Sequence, residues 1–244
     1  MDLSIAQWLI VVIASFLMGA TKAGLKGMGI IVVALLVLVF EAKKQTGILL
    51  PILIIGDILA VVYYKRHVKW HYLAKFLPAM IIGVFIAAYL GDQLPEEAFK
   101  KWLGGVVLVS VIIMFWWDFK GKDNVPNNWL FAGSSGIAAG FATMIGNLAG
   151  AFANMFFLAT RLPKNEIIGT SAWLFFIINL IKLPIHIFSW ETINMDTFKI
   201  DLLMIPAIFL GFWVGLKIVA MINEQYYRYF LLIATSIGAI VILI

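Results

Sequence analysis

The sequence predicts an all-α polytopic membrane protein, and three observations carry that expectation. Hydrophobic residues fill 63% of the 244 positions and charged residues only 13%, against about 45–50% and ~25% in a soluble domain. The apolar residues come in continuous runs, not in the alternating ten-residue segments of a β-barrel. Several runs approach or reach the ~20 residues a helix needs to cross a bilayer. The formal charge of +5 does not indicate nucleic acid, because Lys and Arg are scattered through the links between runs, as the positive-inside rule expects. With no cysteine, disulfides and thiol chemistry are excluded. The opening MDLSIAQW has no positive n-region, so no cleaved signal peptide is expected.

The first element is a broken one. Runs 3–17 and 30–40 are each too short to span and flank MGATKAGLKGMG, residues 18–29. Four glycines (Gly19, Gly24, Gly27, Gly29) loosen this stretch, and Lys22 and Lys26 put charge at membrane depth. A lysine at the bilayer centre costs about 2.5–3.5 kcal/mol even on the lenient insertion scale. Irregular backbone there is tolerated only when it is buried in protein or lines a water-filled cavity. The stretch therefore reads as a broken helix aimed into a polar site.

A polar link at 41–45 leads to a full span, 46–64, holding Pro51 and Asp57. The basic loop 65–71 follows, then a span at 72–90, an acidic link at 91–97 and a span at 98–117. Trp116 and Trp117 close that span at headgroup level. A polar linker, 121–128, divides the chain into halves 1–120 and 129–244.

The second half repeats the plan. Short runs 129–141 and 148–160 flank a glycine-rich break at 140–150. The link 161–166 precedes a span at 167–189 with Asn179, Lys182, Pro184 and His186, and spans 200–221 and 226–243 complete the set. Gly19 aligns with Gly140, Asp57 with Asn179, and Pro78-Ala79 and Gly83 with Pro206-Ala207 and Gly211, in order. Internal repeats are common in secondary transporters, with the site at the repeat interface. The expected architecture is two inverted repeats, each a glycine-broken pair of short helices followed by three full transmembrane helices. Placing Lys65, Arg66, Lys69 and Lys75 in the cytoplasm puts Arg161, Lys164 and Arg228 on the same side and the acidic links outside. Lys43, Lys44, Lys100 and Lys101 then fall outside and count against that solution.

Four ionisable side chains fall at membrane depth: Lys22, Lys26, Asp57 and Lys182. Such residues are functional candidates by default. Each also has a plainer reading: Lys26 can snorkel from a helix end, and Asp57 can be a structural partner of Lys22 or Lys182. Three cations against one carboxylate favour an anionic ligand, and backbone N–H groups at half-helix starts would add to that. Thr21, Thr143, Asn147, Asn154, Thr170, Ser171 and Asn179 supply neutral donors, most of them equally suited to helix packing. Asp57 is the candidate for carrying a coupled proton. His186 has a side chain that titrates near neutral pH, while His67 and His71 read as solvated. No catalytic triad, zinc spacing or phosphate loop is present, so no enzyme activity, metal or cofactor is expected. An anion carrier is the first reading; an anion channel lined by the same residues, or a carboxylate transporter with the same site, is the second. An intramembrane enzyme or a structural subunit is the third.

The stretch GATKAGLKGMGIIVVALLVL with GILLPILIIGDILAVVYYKRHVKW resembles the first repeat of the sulfite exporter TauE/SafE family. The matching positions are Gly19, Lys22, Gly24, Gly27 and Gly29, then Pro51, Asp57, Ala60, Tyr63 or Tyr64, Lys65 and Arg66. GFATMIGNLAGAF, GTSAWLFFIINLIKLPIH and PAIFLGFWVG resemble the second half. The resemblance covers nearly the whole chain and implies export of a sulfur-containing or organic anion such as sulfite or sulfoacetate. Where many members carry GG or GGP, this chain has Asn147-Leu148-Ala149-Gly150, a bulkier and more polar turn. Lys26 likewise stands where smaller residues are common. The expected partners are the lipid bilayer, a small anion, protons as coupling ion and, left open, further copies of the chain. The expected location is the inner (cytoplasmic) membrane, crossed several times.

Overall fold

The computed structural model describes residues 3–25, 28–120, 129–160 and 162–221. Among the described residues there is no strand, and six helices are long and apolar enough to cross a membrane. The expected linker 121–128 and the expected last span, 226–243, lie outside the described residues.

Helix α1 (Ile5–Lys22) starts at a capping box: Ser4 Oγ accepts from the Gln7 N–H, and Gln7 Oε1 accepts from the Ser4 N–H at 2.9 Å. Helix α2 (Gly29–Val37) has nine residues, about 14 Å of rise, half a bilayer. Helix α3 (Ala42–Tyr64) takes in most of the expected polar link. Its first N–H groups, on Ala42 and Lys43, donate to the Glu96 carboxylate, so a side chain from another helix supplies the cap that Glu41 does not. Gln45 and Thr46 are therefore buried helix residues. A 3₁₀ turn (Lys65–His67) leads to α4 (Trp70–Asp92) and α5 (Glu96–Lys120).

The second half brings α6 (Trp129–Gly146), the ten-residue α7 (Gly150–Ala159), α8 (Lys164–Pro184) and α9 (Met195–Met221). The expected single span at 167–189 is α8 followed by a π-helical turn, Ile185–Ser189. Pro184 stands at that change; it has no N–H and its ring crowds the preceding turn.

The breaks sit later than the glycines suggest. Helix α1 runs through Gly19 to Lys22 and α6 through Gly140 to Gly146, and the helices after the breaks, α2 and α7, start at Gly29 and Gly150. Gly24 (φ +125°) and Asn147 (φ 57°) make the turns. Gly19 and Gly140 are contact points, not hinges. A methyl added at Gly19 would lie 2.1 Å from the Ile208 carbonyl oxygen on α9, and one at Gly211 would lie 1.9 Å from that of Phe16. At Gly140 it would lie 1.9 Å from the Met80 carbonyl oxygen on α4, and at Gly83 2.1 Å from that of Ile137. Missing side chains let these backbones touch. Each broken helix thus leans on a full helix of the opposite half.

One face gathers Lys69, whose Nζ is 3.0 Å from Glu166 Oε1 and whose N–H donates to Thr170 Oγ1 at 3.0 Å. The other gathers Glu96, Trp190, Asp92 and Lys43. Lys43, one of the four lysines that count against the loop assignment, is 3.8 Å from Asp92 Oδ1 and lies over the Trp190 ring. Between the faces runs a continuous apolar core in which Phe76 stacks on Phe156 with centroids 4.6 Å apart.

Candidate intramembrane site

Three helices meet at Asp57. Lys22, in the last turn of α1, places Nζ 2.6 Å from Asp57 Oδ1. Asn179 of α8 donates through Nδ2 to Asp57 Oδ2 at 2.7 Å. Gly56 makes the approach feasible, because a methyl there would lie 2.8 Å from Lys22 Cγ. Lys22 also stands 5.3 Å from the centroid of Phe175, within cation–π range.

Lys182 lies one turn beyond Asn179 and is fully buried. Its ammonium donates to the Thr143 carbonyl at 2.8 Å, to Thr143 Oγ1 at 3.3 Å, to Asn179 Oδ1 at 3.5 Å and to Asn147 Oδ1. These acceptors satisfy the three protons an ammonium carries. Asn147 in turn donates through Nδ2 to the Thr46 carbonyl at 3.0 Å, tying the second break to α3. The first break has a matching tether: Tyr64 of α3 donates to the Ala23 carbonyl at 3.0 Å. Each broken helix end is therefore capped by a side chain from the following long helix of its own half.

Between the two breaks lies a cavity of ≈ 120 Å³, room for about four waters at ~30 Å³ each, which suits a small ion. Six of the eight expected site residues line it: Thr21, Lys22, Asp57, Thr143, Asn147 and Asn179. Lys182 stands behind that wall and reaches the site only through Asn147 and Asn179. Lys26 lies outside the described residues. Of the other neutral donors, Asn154 and Ser171 are on the wall, while Thr170 is engaged at the Lys69 face. Gly29 and Gly150, the first residues of α2 and α7, also line the cavity. Two half-helix N-termini thus open onto one space, a setting that favours negative charge.

Sequence reasoning missed Phe175 and Ser110 on this wall. Phe175 had a signal, since it precedes Asn179 by one helical turn; Ser110 had none. Among the described residues no group of three or more His, Cys, Asp or Glu is placed to hold a metal ion.

A family model described as sulfite exporter TauE/SafE matches residues 10–242. No curated protein and no solved structure matches the chain.

Proposed function

The chain belongs to the sulfite exporter TauE/SafE family, whose members are membrane transporters of anions and not enzymes, and from that premise we propose that it exports sulfite or a short organosulfonate by alternating access. The observation that carries this reading is the cavity between the breaks. It combines one partly open ammonium, two half-helix N-termini and a ring of neutral donors. The anion's charged group would sit against Lys22 and the N–H groups at Gly29 and Gly150, with Lys182 adding positive charge from behind. Asp57 holds Lys22 at rest. A proton arriving on Asp57 would release Lys22 to the anion, which makes Asp57 the coupling residue.

The two halves are read as inverted repeats, 1–120 and 129–244. The reciprocal packing of α1 on α9 and of α6 on α4 supports this, since aligned glycines make both contacts. We place the protein in the inner membrane with the Lys69 face in the cytoplasm, as its basic loops suggest.

Proteoliposomes test the function. Labelled sulfite and a short sulfonate are followed with and without an imposed pH gradient, for the native chain and Lys22→Ala. Saturable flux that follows the proton gradient and vanishes in Lys22→Ala is the expected result. Saturable flux indifferent to pH would discard Asp57 as proton carrier. Currents far above carrier turnover would turn the reading into a channel, and absence of flux for both anions would remove the substrate class.

A further inference from the structure

Beyond the cavity, α8 carries a second polar position that the transport reading does not use. Asn179, Lys182 and His186 are spaced three and four apart and so share one face. They are 3%, 0% and 0% exposed. His186 is a turn nearer the Lys43 face than Lys182, inside the π-helical turn, a feature frequent at functional sites.

The hydrogen bonds around His186 leave one nitrogen unused. Thr192 Oγ1 lies 2.8 Å from Nδ1 and 3.4 Å from the His186 carbonyl; its proton given to the nearer acceptor, Nδ1, leaves the ring N–H on Nε2. Nε2 is buried with no partner among the described residues. Gly47 of α3 abuts Thr192, and Gln45 on the same turn is fully buried with both amide atoms unpartnered. Buried polar groups are nearly always satisfied, so two unsatisfied ones on adjoining segments mark a place for a ligand or water. The charged groups around His186 are Lys182 on its own helix and Lys43 of α3. Asp92 of α4 contacts Lys43, and Glu96 of α5 is engaged by the start of α3.

Trp190 closes this position. Its ring meets His186 edge-on at 5.1 Å, its Nε1 donates to the Ala88 carbonyl at 3.1 Å, and it packs where a methyl on Gly91 would lie 2.7 Å away. Lys43 Nζ lies over the same ring, 5.1 Å from its centroid.

We propose that His186, Lys182, Thr192 and Lys43 form a second subsite for the transported anion, between the cavity and the Lys43 face, with Trp190 as its lid. The subsite rests on the transport reading given above. It gives an anion leaving Lys22 a sequence of N–H donors toward the exterior, and it is shut in this conformation. When the lid lifts, the imidazole N–H and the Lys43 ammonium meet the anion, and Lys182, held by Thr143, Asn147 and Asn179, adds positive charge from behind.

The absence of cysteine from the chain makes the test clean. His186→Cys provides one thiol, placed in lipid nanodiscs where both faces are open. It is treated with an anionic ethylsulfonate methanethiosulfonate and with its cationic trimethylammonium counterpart. Each labelling rate, read by intact mass, is divided by that reagent's rate with free cysteine in solution. The subsite predicts a preference for the anionic reagent on the order of tenfold, faster labelling when Trp190→Ala is added, and slower labelling in saturating methanesulfonate. Thr192→Cys serves if His186→Cys does not fold. Equal rates, a cationic preference, no labelling even with Trp190→Ala, or no protection by methanesulfonate would overturn the subsite. The transport reading fails separately, as absence of labelled-sulfite counterflow by the native chain; selective labelling without counterflow would keep the subsite and discard the transporter.

Discussion

Removing Lys22 should strand a carboxylate, and the double substitution with Asp57 should undo the damage. The perturbations are Lys22→Met, Asp57→Asn and both together. At the 2.6 Å separation of Nζ and Oδ1, an effective dielectric of about 20 gives an attraction of roughly 6 kcal/mol. Most of that offsets the desolvation of the two ions, yet breaking a buried pair from one side costs about 3–5 kcal/mol. Asp57 has no exposed surface, and without Lys22 only the Asn179 amide, among the described residues, remains hydrogen-bonded to its carboxylate. Lys22→Met is expected at the upper part of that range. Asp57→Asn leaves an ammonium that keeps 10% exposure on the cavity wall, so about 2–3 kcal/mol is expected. The neutral double variant should return to within ~1 kcal/mol of the native chain, since an uncharged pair leaves no bare ion. Thermal unfolding of the detergent-solubilised chain reads this, at roughly 2–4 °C per kcal/mol for a chain of this size. Single losses that simply add in the double variant, within about 0.5 kcal/mol, would refute the coupling. Sulfite counterflow by the double variant would refute Lys22 as the anion's partner.

Three further outcomes follow from the same geometry. Gly140→Ala should lower thermal stability by about 1–3 kcal/mol through overpacking against the Met80 carbonyl, whereas Gly104→Ala, with nothing within 4 Å of the added methyl, should raise it by roughly 0.5–1 kcal/mol; unfolding midpoints of the pair check both. Asn147→Val should lose about 2–3 kcal/mol, because it removes the ties to Thr46 and Lys182 and places a β-branched residue at φ 57°; the same melts measure it. Phe175→Leu should raise the KM for sulfite by roughly 2–10-fold through loss of the ring beside Lys22, with the unfolding midpoint little changed.

The polar part of the site was legible because charge is conspicuous in an apolar chain. Lys22, Asp57 and Asn179 stood out one by one, and the structure brings Lys22 and Asn179 each within hydrogen-bond distance of Asp57. Position along the helix was not legible. Gly19 and Gly140 look like hinge residues until α9 and α4 are seen against them. Nor does sequence reveal on which side of a wall a buried ammonium lies: Lys182 turns toward the last turn of α6, where the Thr143 carbonyl accepts from it beside the Asn147 N–H. The early start of α3 was hidden for a similar reason, since its cap comes from Glu96, more than fifty residues along the chain.

The crossed docking of the broken helices sets a timetable for biogenesis. Gly140 reaches its seat on Met80 after roughly 60 further residues, about 3–12 s of synthesis at ordinary rates. Gly19 must wait for Ile208, roughly 190 residues downstream, or about 10–40 s. Helix α1, made before every other described helix, is therefore among the last to find its neighbour. Until then its glycine groove is open to lipid and to insertase, and a ribosome stalled midway leaves it without a seat.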